Sequence, residues 1–155
     1  MKEKSVKVIP INWAKPDFLI SDVHTAKFDL SEIPDKQNVL YQIYGDSPIY
    51  GSETLLYVGK TIRPVKERIQ KHLDTNFNRI INFSIRVGEF DFQQTDNIED
   101  ILNITETILI TMLKPSYNAQ NLKDIINIAQ NTPYLILNKG NRGLLPLEVS
   151  NIWWF

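Results

Sequence analysis

The alternation of apolar and polar positions is clearest in the middle of the chain. Asn38 to Tyr44 (NVLYQIY), Thr54 to Val58 (TLLYV) and Ile80 to Val87 (IINFSIRV) are short runs rich in aromatic and β-branched residues, and they predict three strands. Gly45-Asp46-Ser47-Pro48 turns the chain after the first run, and Tyr50-Gly51-Ser52 extends that loop, so the first two strands read as a hairpin with a long connection. Pro64 suits the first position of a helix running to about Leu73, whose stripe of Val65, Ile69 and Leu73 must pack on the sheet. Ile98, Ile101, Leu102, Ile108, Leu109, Met112 and Leu113 mark a longer helix, which Asp96 or Asn97 can cap and Pro115 ends. A shorter helix is expected over about 122–130.

The flanks carry less pattern. Pro10, Pro16 and Pro34 interrupt the first 36 residues, leaving Val6 to Ile11 as one short strand. The tail holds one apolar run, Tyr134 to Leu137, then a Gly-rich turn and Ile152-Trp153-Trp154-Phe155. The expected class is α/β (α+β): a small core over 38–121, with a three-stranded, mainly antiparallel sheet flanked by helices. An irregular extension over 1–37 precedes it, and a C-terminal helix and tail over 122–155 pack on it.

Composition narrows the chemistry. The chain has 155 residues, enough for one ordinary domain, and 43% hydrophobic residues can bury a real core. It has no cysteine, which excludes thiolate metal sites and cysteine nucleophiles. Two histidines, His24 and His72, are too few for a histidine cage, so any metal must lean on carboxylates. No apolar stretch is long enough to span a membrane and no signal-peptide core precedes Pro10, so no membrane partner and a cytoplasmic location are expected. A net charge of −1 disfavours a nucleic-acid coat but allows positive charge gathered on one face.

Gly59-Lys60-Thr61 after a strand suggests a phosphate-binding loop, which requires G-x-x-x-x-G-K-[ST]. Thr54 stands where the first glycine is needed, and the four residues between are strand-like. That loop is excluded.

Other polar residues fall together instead. Arg68 and His72 lie four apart on one helix face, near Tyr57 and Gly59 at the end of the second strand. An arginine there can fork onto phosphate oxygens, and a histidine can orient or move a proton; a solvated basic helix end is the plain alternative. Glu106 sits at the border of the apolar face of the long helix, where a carboxylate must be paired, snorkel or bind a cation. Asn118, in Pro115-Ser116-Tyr117-Asn118, reads on its own as a turn residue.

Taken in order, these positions resemble the GIY-YIG nuclease family. Tyr41 in Val39-Leu40-Tyr41 stands for the first signature and Tyr57-Val58-Gly59 for the second, followed by Lys60-Thr61. Arg68 matches the family's helix arginine, His72 its frequent histidine, Glu106 its metal-binding glutamate, and Pro115-Ser116-Tyr117-Asn118 its Pro-x-x-Asn. Val39 replaces the glycine that opens the first motif. The resemblance covers about residues 38–121 and implies a metal-dependent endonuclease that hydrolyses phosphodiester bonds in DNA, of restriction type or associated with phage or mobile elements. It implies Tyr41, Tyr57, Arg68, His72, Glu106 and Asn118 as the catalytic set. Lys60, Thr61 and Arg63 would contact substrate, and Glu106 would hold Mg²⁺ or Mn²⁺.

A single Mg²⁺ on one carboxylate is chemically reasonable, because Mg²⁺ keeps several waters and completes its shell with substrate phosphate. A tyrosine with its pKa lowered by nearby cations would take the proton of the attacking water; Tyr57 is favoured over Tyr41. A homodimer would suit palindrome cleavage, since each site cuts one strand. The lysines around Trp13 and Phe18 are a weaker candidate for DNA contact. The rival readings are a non-catalytic nucleic-acid-binding module and a protein-interaction domain that keep the same fold.

Overall fold

A computed structural model describes residues 5–19, 28–118 and 132–152. Its strands are β1 (Lys7–Trp13), β2 (Asp17–Phe18), β3 (Val39–Ser47), β4 (Gly51–Thr61), β5 (Ser84–Phe90), β6 (Tyr134–Gly140) and β7 (Glu148–Ser150). Its helices are α1 (Val65–Asp74) and α2 (Ile98–Leu113).

The expected small three-stranded sheet flanked by helices is wrong. Six of the strands follow the order β4-β3-β5-β1-β6-β7, with β2 paired to β5, in a single mixed sheet that curls as a half-barrel. Two helices accompany it among the described residues. The strands read from the centre of the sequence are present, as β4-β3-β5, but they form less than half of the sheet. The rest comes from the flanks that looked irregular: β1 pairs in parallel with β6 along its whole length and antiparallel with β5 over Ile11 to Trp13. The helix expected over 122–130 and the terminal Trp153-Trp154-Phe155 lie outside the described residues.

The short strand expected over Val6 to Ile11 is present as β1, which runs on to Trp13 with Pro10 inside it. A proline inside an interior strand argues against the strand, because it removes a ladder donor. Lys7 donates its N–H to Pro133 on the β6 side, and the carbonyl of Trp13 accepts from Asn141 on the same side. Residues of odd number therefore face β6, and Pro10 faces β5. The last β5 partner, Phe90, is opposite Ile11, so Pro10 lies beyond the end of β5 and no hydrogen bond is lost. Its neighbours keep the alternation that a half-buried strand needs: Ile9, Ile11 and Trp13 are buried, Val8 and Asn12 exposed.

The β3–β4 hairpin is also longer and tighter than expected. Pairing continues to Ser47 opposite Gly51, so only Pro48, Ile49 and Tyr50 form the loop. Gly51 takes φ +94, which the turn requires and a glycine tolerates.

The sheet buries both faces. On one, Val65, Ile69 and Leu73 of α1 pack with Tyr41, Ile43, Phe77, Phe83 and Ile85. On the other, Ile108, Leu109 and Ile110 of α2 pack with Ile11, Leu40, Val58 and Ile136. Consecutive residues Leu40 and Tyr41 thus serve opposite cores, as the period of two demands. Trp13 is fully buried, its indole N–H donating to Asn138 at 3.0 Å. That removes Trp13 from any role in touching DNA, although Phe18 is exposed.

Candidate active site

The site lies where the outer strand β4 meets α1 and the flank of α2. Tyr41 on β3 stands opposite Gly59 on β4. A Cβ at position 59 would come within 2.5 Å of the Tyr41 ring and hydroxyl and 2.6 Å of the Tyr57 ring. Gly59 is therefore glycine for space: its missing side chain lets the two tyrosines meet, with ring centroids 6.0 Å apart. Gly59→Ala should cost about 1–3 kcal/mol by overpacking. A thermal melt would show the loss, together with an altered tyrosine near-UV signal, and an unchanged melt would remove the close-packing account.

Helix α1 brings in the polar partners. Its buried stripe faces the sheet, which turns Arg68 and His72 toward the tyrosines. The Tyr41 hydroxyl and His72 Nε2 are 2.8 Å apart in a buried hydrogen bond. The His72 ring also packs 4.8 Å from Tyr57 and edge-on against Phe77 at 5.3 Å. Burial, with the charges of Arg68 and Lys71 adding to it, pushes the imidazole down to about 4, so it is neutral near pH 7. The Arg68 guanidinium lies close enough to both tyrosine hydroxyls to act on their titration. Burial works against its charge, but Tyr41, Tyr57 and Glu106 outweigh burial and raise its pKa.

The tyrosines contradict one expectation. Both phenols titrate above their ordinary value, Tyr41 well above it. Burial is the largest cause for each; Glu106 adds to it at Tyr57, and Arg68 only partly offsets the sum. Tyr41 has no exposed surface, whereas Tyr57 is half-buried and within reach of solvent.

Glu106 projects from α2 and is 9% exposed. Burial raises its pKa to about 7, against the pull of the Lys60 charge, a hydrogen bond from the Lys60 backbone N–H and the charge of Arg68. Asn118 does something different. Its amide accepts from Val58 N–H at 2.9 Å and donates to Val58 C=O at 2.8 Å. Tyr117 N–H donates to Leu56 C=O at 2.9 Å. The free edge of β4 is thus closed at Leu56 and Val58 by Tyr117 and Asn118, which protects an outer strand and ties the chain after α2 to it. Asn118→Ala would leave two buried backbone groups unpaired and should cost about 2–4 kcal/mol in a denaturant titration.

The three expected substrate contacts are placed unequally. Lys60 is half-buried beside Glu106, and Arg63 is exposed. Thr61 is nearly buried and its hydroxyl is engaged with the backbone of Arg63, donating to the carbonyl at 3.0 Å and accepting from the N–H at 3.1 Å. It shapes the turn into α1.

Tyr41, Tyr57, Arg68, His72 and Glu106 therefore come together around Gly59, with Asn118 behind them. Sequence reasoning missed Phe77, which packs against Tyr57, His72 and Tyr117. It lies in the turn after α1, where no periodicity signals it. Among the described residues no group of three His, Cys, Asp or Glu side chains could hold a metal. A cation here would rest on Glu106 alone, and an under-compensated carboxylate with a raised pKa fits one hard, mostly hydrated divalent ion. No helix among the described residues is long and apolar enough to cross a membrane. The chain matches no protein-family model, no curated protein and no solved structure.

Proposed function

We propose that the protein is a metal-dependent endonuclease that hydrolyses phosphodiester bonds in DNA, in the manner of the GIY-YIG nucleases its motifs resemble. One observation carries this reading: two tyrosines, an arginine, a histidine and a glutamate, spread over 66 positions from Tyr41 to Glu106, converge on Gly59. Packing alone would fill that space with apolar side chains, because gathering this many polar groups at a sheet edge costs desolvation.

The roles follow from the surroundings of each group. Arg68 is a fixed, permanently charged fork that can brace two phosphate oxygens as charge builds on them. Tyr57, the solvent-reached phenol, takes the proton of the attacking water. Arg68 and Tyr41, both beside its hydroxyl, stabilise the phenolate that must form. The neutral His72 holds Tyr41 in place through the 2.8 Å bond. Lys60 and Arg63 supply positive charge along the substrate backbone. Mg²⁺ or Mn²⁺ on Glu106 would supply charge at the scissile phosphate and cancel the carboxylate charge that now raises Tyr57.

Supercoiled plasmid tests the reading directly. Purified protein should nick or linearise it with Mg²⁺ or Mn²⁺ and not with chelator, and Glu106→Ala should abolish the metal-dependent activity. Failure to cut duplex DNA, single-stranded DNA and RNA would overturn it in favour of a binding module. A mobility shift that weakens steeply with salt would then identify nucleic acid as what is bound.

A further inference from the structure

We propose that Tyr117 is a stacking platform for a nucleobase beside the scissile phosphate, a specificity element that rests on the nuclease reading above. The backbone around the ring is anchored, and one face of the site supports the ring. Pro115 follows the left-handed cap residue Lys114 (φ +47) that ends α2, so the chain bends back along β4. Tyr117 N–H is then tied to Leu56 C=O at 2.9 Å, and the next residue, Asn118, clamps both polar groups of Val58. The ring itself lies 5.0 Å from Phe77 at an interplanar angle of 33°. Phe77 is 1% exposed and packs edge-on against Tyr57 and His72, so Tyr117 is one ring removed from the reacting tyrosine.

Despite that anchoring Tyr117 remains 43% exposed. Its hydroxyl makes no hydrogen bond among the described residues. The fold thus fixes an aromatic plane one ring away from Tyr57, with much of its surface exposed. Stacking needs the plane and not the hydroxyl. A rigid ring loses little conformational freedom when a base covers it, and every base offers a π-face, so such a contact grips the nucleotide while tolerating its identity. The ligand it fits is an unpaired or splayed base next to a phosphate braced by Arg68. A duplex that stays fully stacked would not present one, so the platform favours ends, flaps, bulges or substrate distorted on binding.

The test uses the full chain and oligonucleotides carrying 2-aminopurine at successive positions around the mapped cut. In the non-cutting Glu106→Gln background, fluorescence quenching is expected at one position flanking that cut. Quenching should persist with Tyr117→Phe and disappear with Tyr117→Leu, which keeps apolar cover on Phe77 and hence the fold. In the active protein Tyr117→Leu should raise KM roughly ten-fold, within the range of a lost base–aromatic stack, with kcat within about three-fold. Unchanged quenching and KM in a Tyr117→Leu protein with a wild-type melt would overturn the platform and leave the nuclease reading standing. If the wild-type protein cuts nothing, the nuclease reading fails; Tyr117-dependent quenching on a single-stranded probe would still support the platform, and its absence would sink both.

Discussion

Arg68→Ala is expected to lower kcat for plasmid cleavage by about 10²–10³-fold, the usual effect of removing one preorganised electrostatic contact. The side chain serves three groups at once: its charge lowers the pKa of Tyr41, of Tyr57 and of Glu106 against the burial that raises them. Its loss would raise both phenols and the carboxylate together, so Tyr57 would be harder to ionise and Glu106 more often protonated. The fold should tolerate the change, because α1 packs through Val65, Ile69 and Leu73 and not through Arg68. Arg68→Lys should recover only part of the rate, since an ammonium is a point charge and cannot fork. Single-turnover cleavage at saturating DNA measures this, beside a melt to confirm folding. A kcat within a few-fold of wild type in Arg68→Ala would remove this residue from the reacting centre.

Glu106→Gln should separate function from stability: cutting with Mg²⁺ is lost, while the metal-free protein becomes more stable above pH 7. The folded-state pKa of Glu106, about 7, lies above its ordinary 4.5. Between those values the folded chain holds a proton that the unfolded chain has released, so stability falls as pH rises through the window. Across the full shift the cost of the buried charge is about 3 kcal/mol, at about 1.4 kcal/mol per unit. Glutamine carries no charge and can still accept from the Lys60 N–H, so the variant should escape that cost.

His72 runs the other way. Its pKa falls from 6.5 to about 4 on folding, so the unfolded chain holds the extra proton and stability rises with pH over that range. The two slopes oppose each other between about pH 4.5 and 6.5 and should leave the wild-type melting temperature nearly flat there. Glu106→Gln should expose the rising slope of His72. Added Mg²⁺ should raise the melting temperature of the wild-type protein at pH 7.5 and leave Glu106→Gln unmoved. Equal pH profiles for the two proteins would refute the burial cost assigned to this carboxylate.

How far the sequence reaches depends on whether a feature is local. The β3–β4 hairpin, β5, α1 and α2 were legible because each carries its own periodicity and its own stops. The boundaries slipped where the chain stays extended through polar residues: β3 runs on to Ser47 and β5 begins at Ser84, not Ile80. The wider sheet was illegible because its logic is long-range. Tyr134 lies 127 positions beyond Lys7, and nothing in Val6 to Trp13 names β6 as its parallel partner. Val6 to Ile11 reads as a strand in spite of Pro10, and only the end of β5 at Phe90 shows why a proline is harmless there.

The candidate site divides in the same way. Sequence by itself determined the residue types and their spacing: Tyr57 and Gly59 at the end of a strand, Arg68 and His72 one turn apart on a helix, and Glu106 at the edge of an apolar face. Tertiary structure alone decided what those side chains do to one another, because pKa values and packing depend on burial and on neighbours remote in sequence. It raised the tyrosines where nearby cations suggested the opposite, turned Thr61 inward to a turn, and put Asn118 on the open edge of β4. It also packed Phe77 against Tyr57 and His72 and Tyr117 against Phe77, rings that no helical or strand period could have brought together.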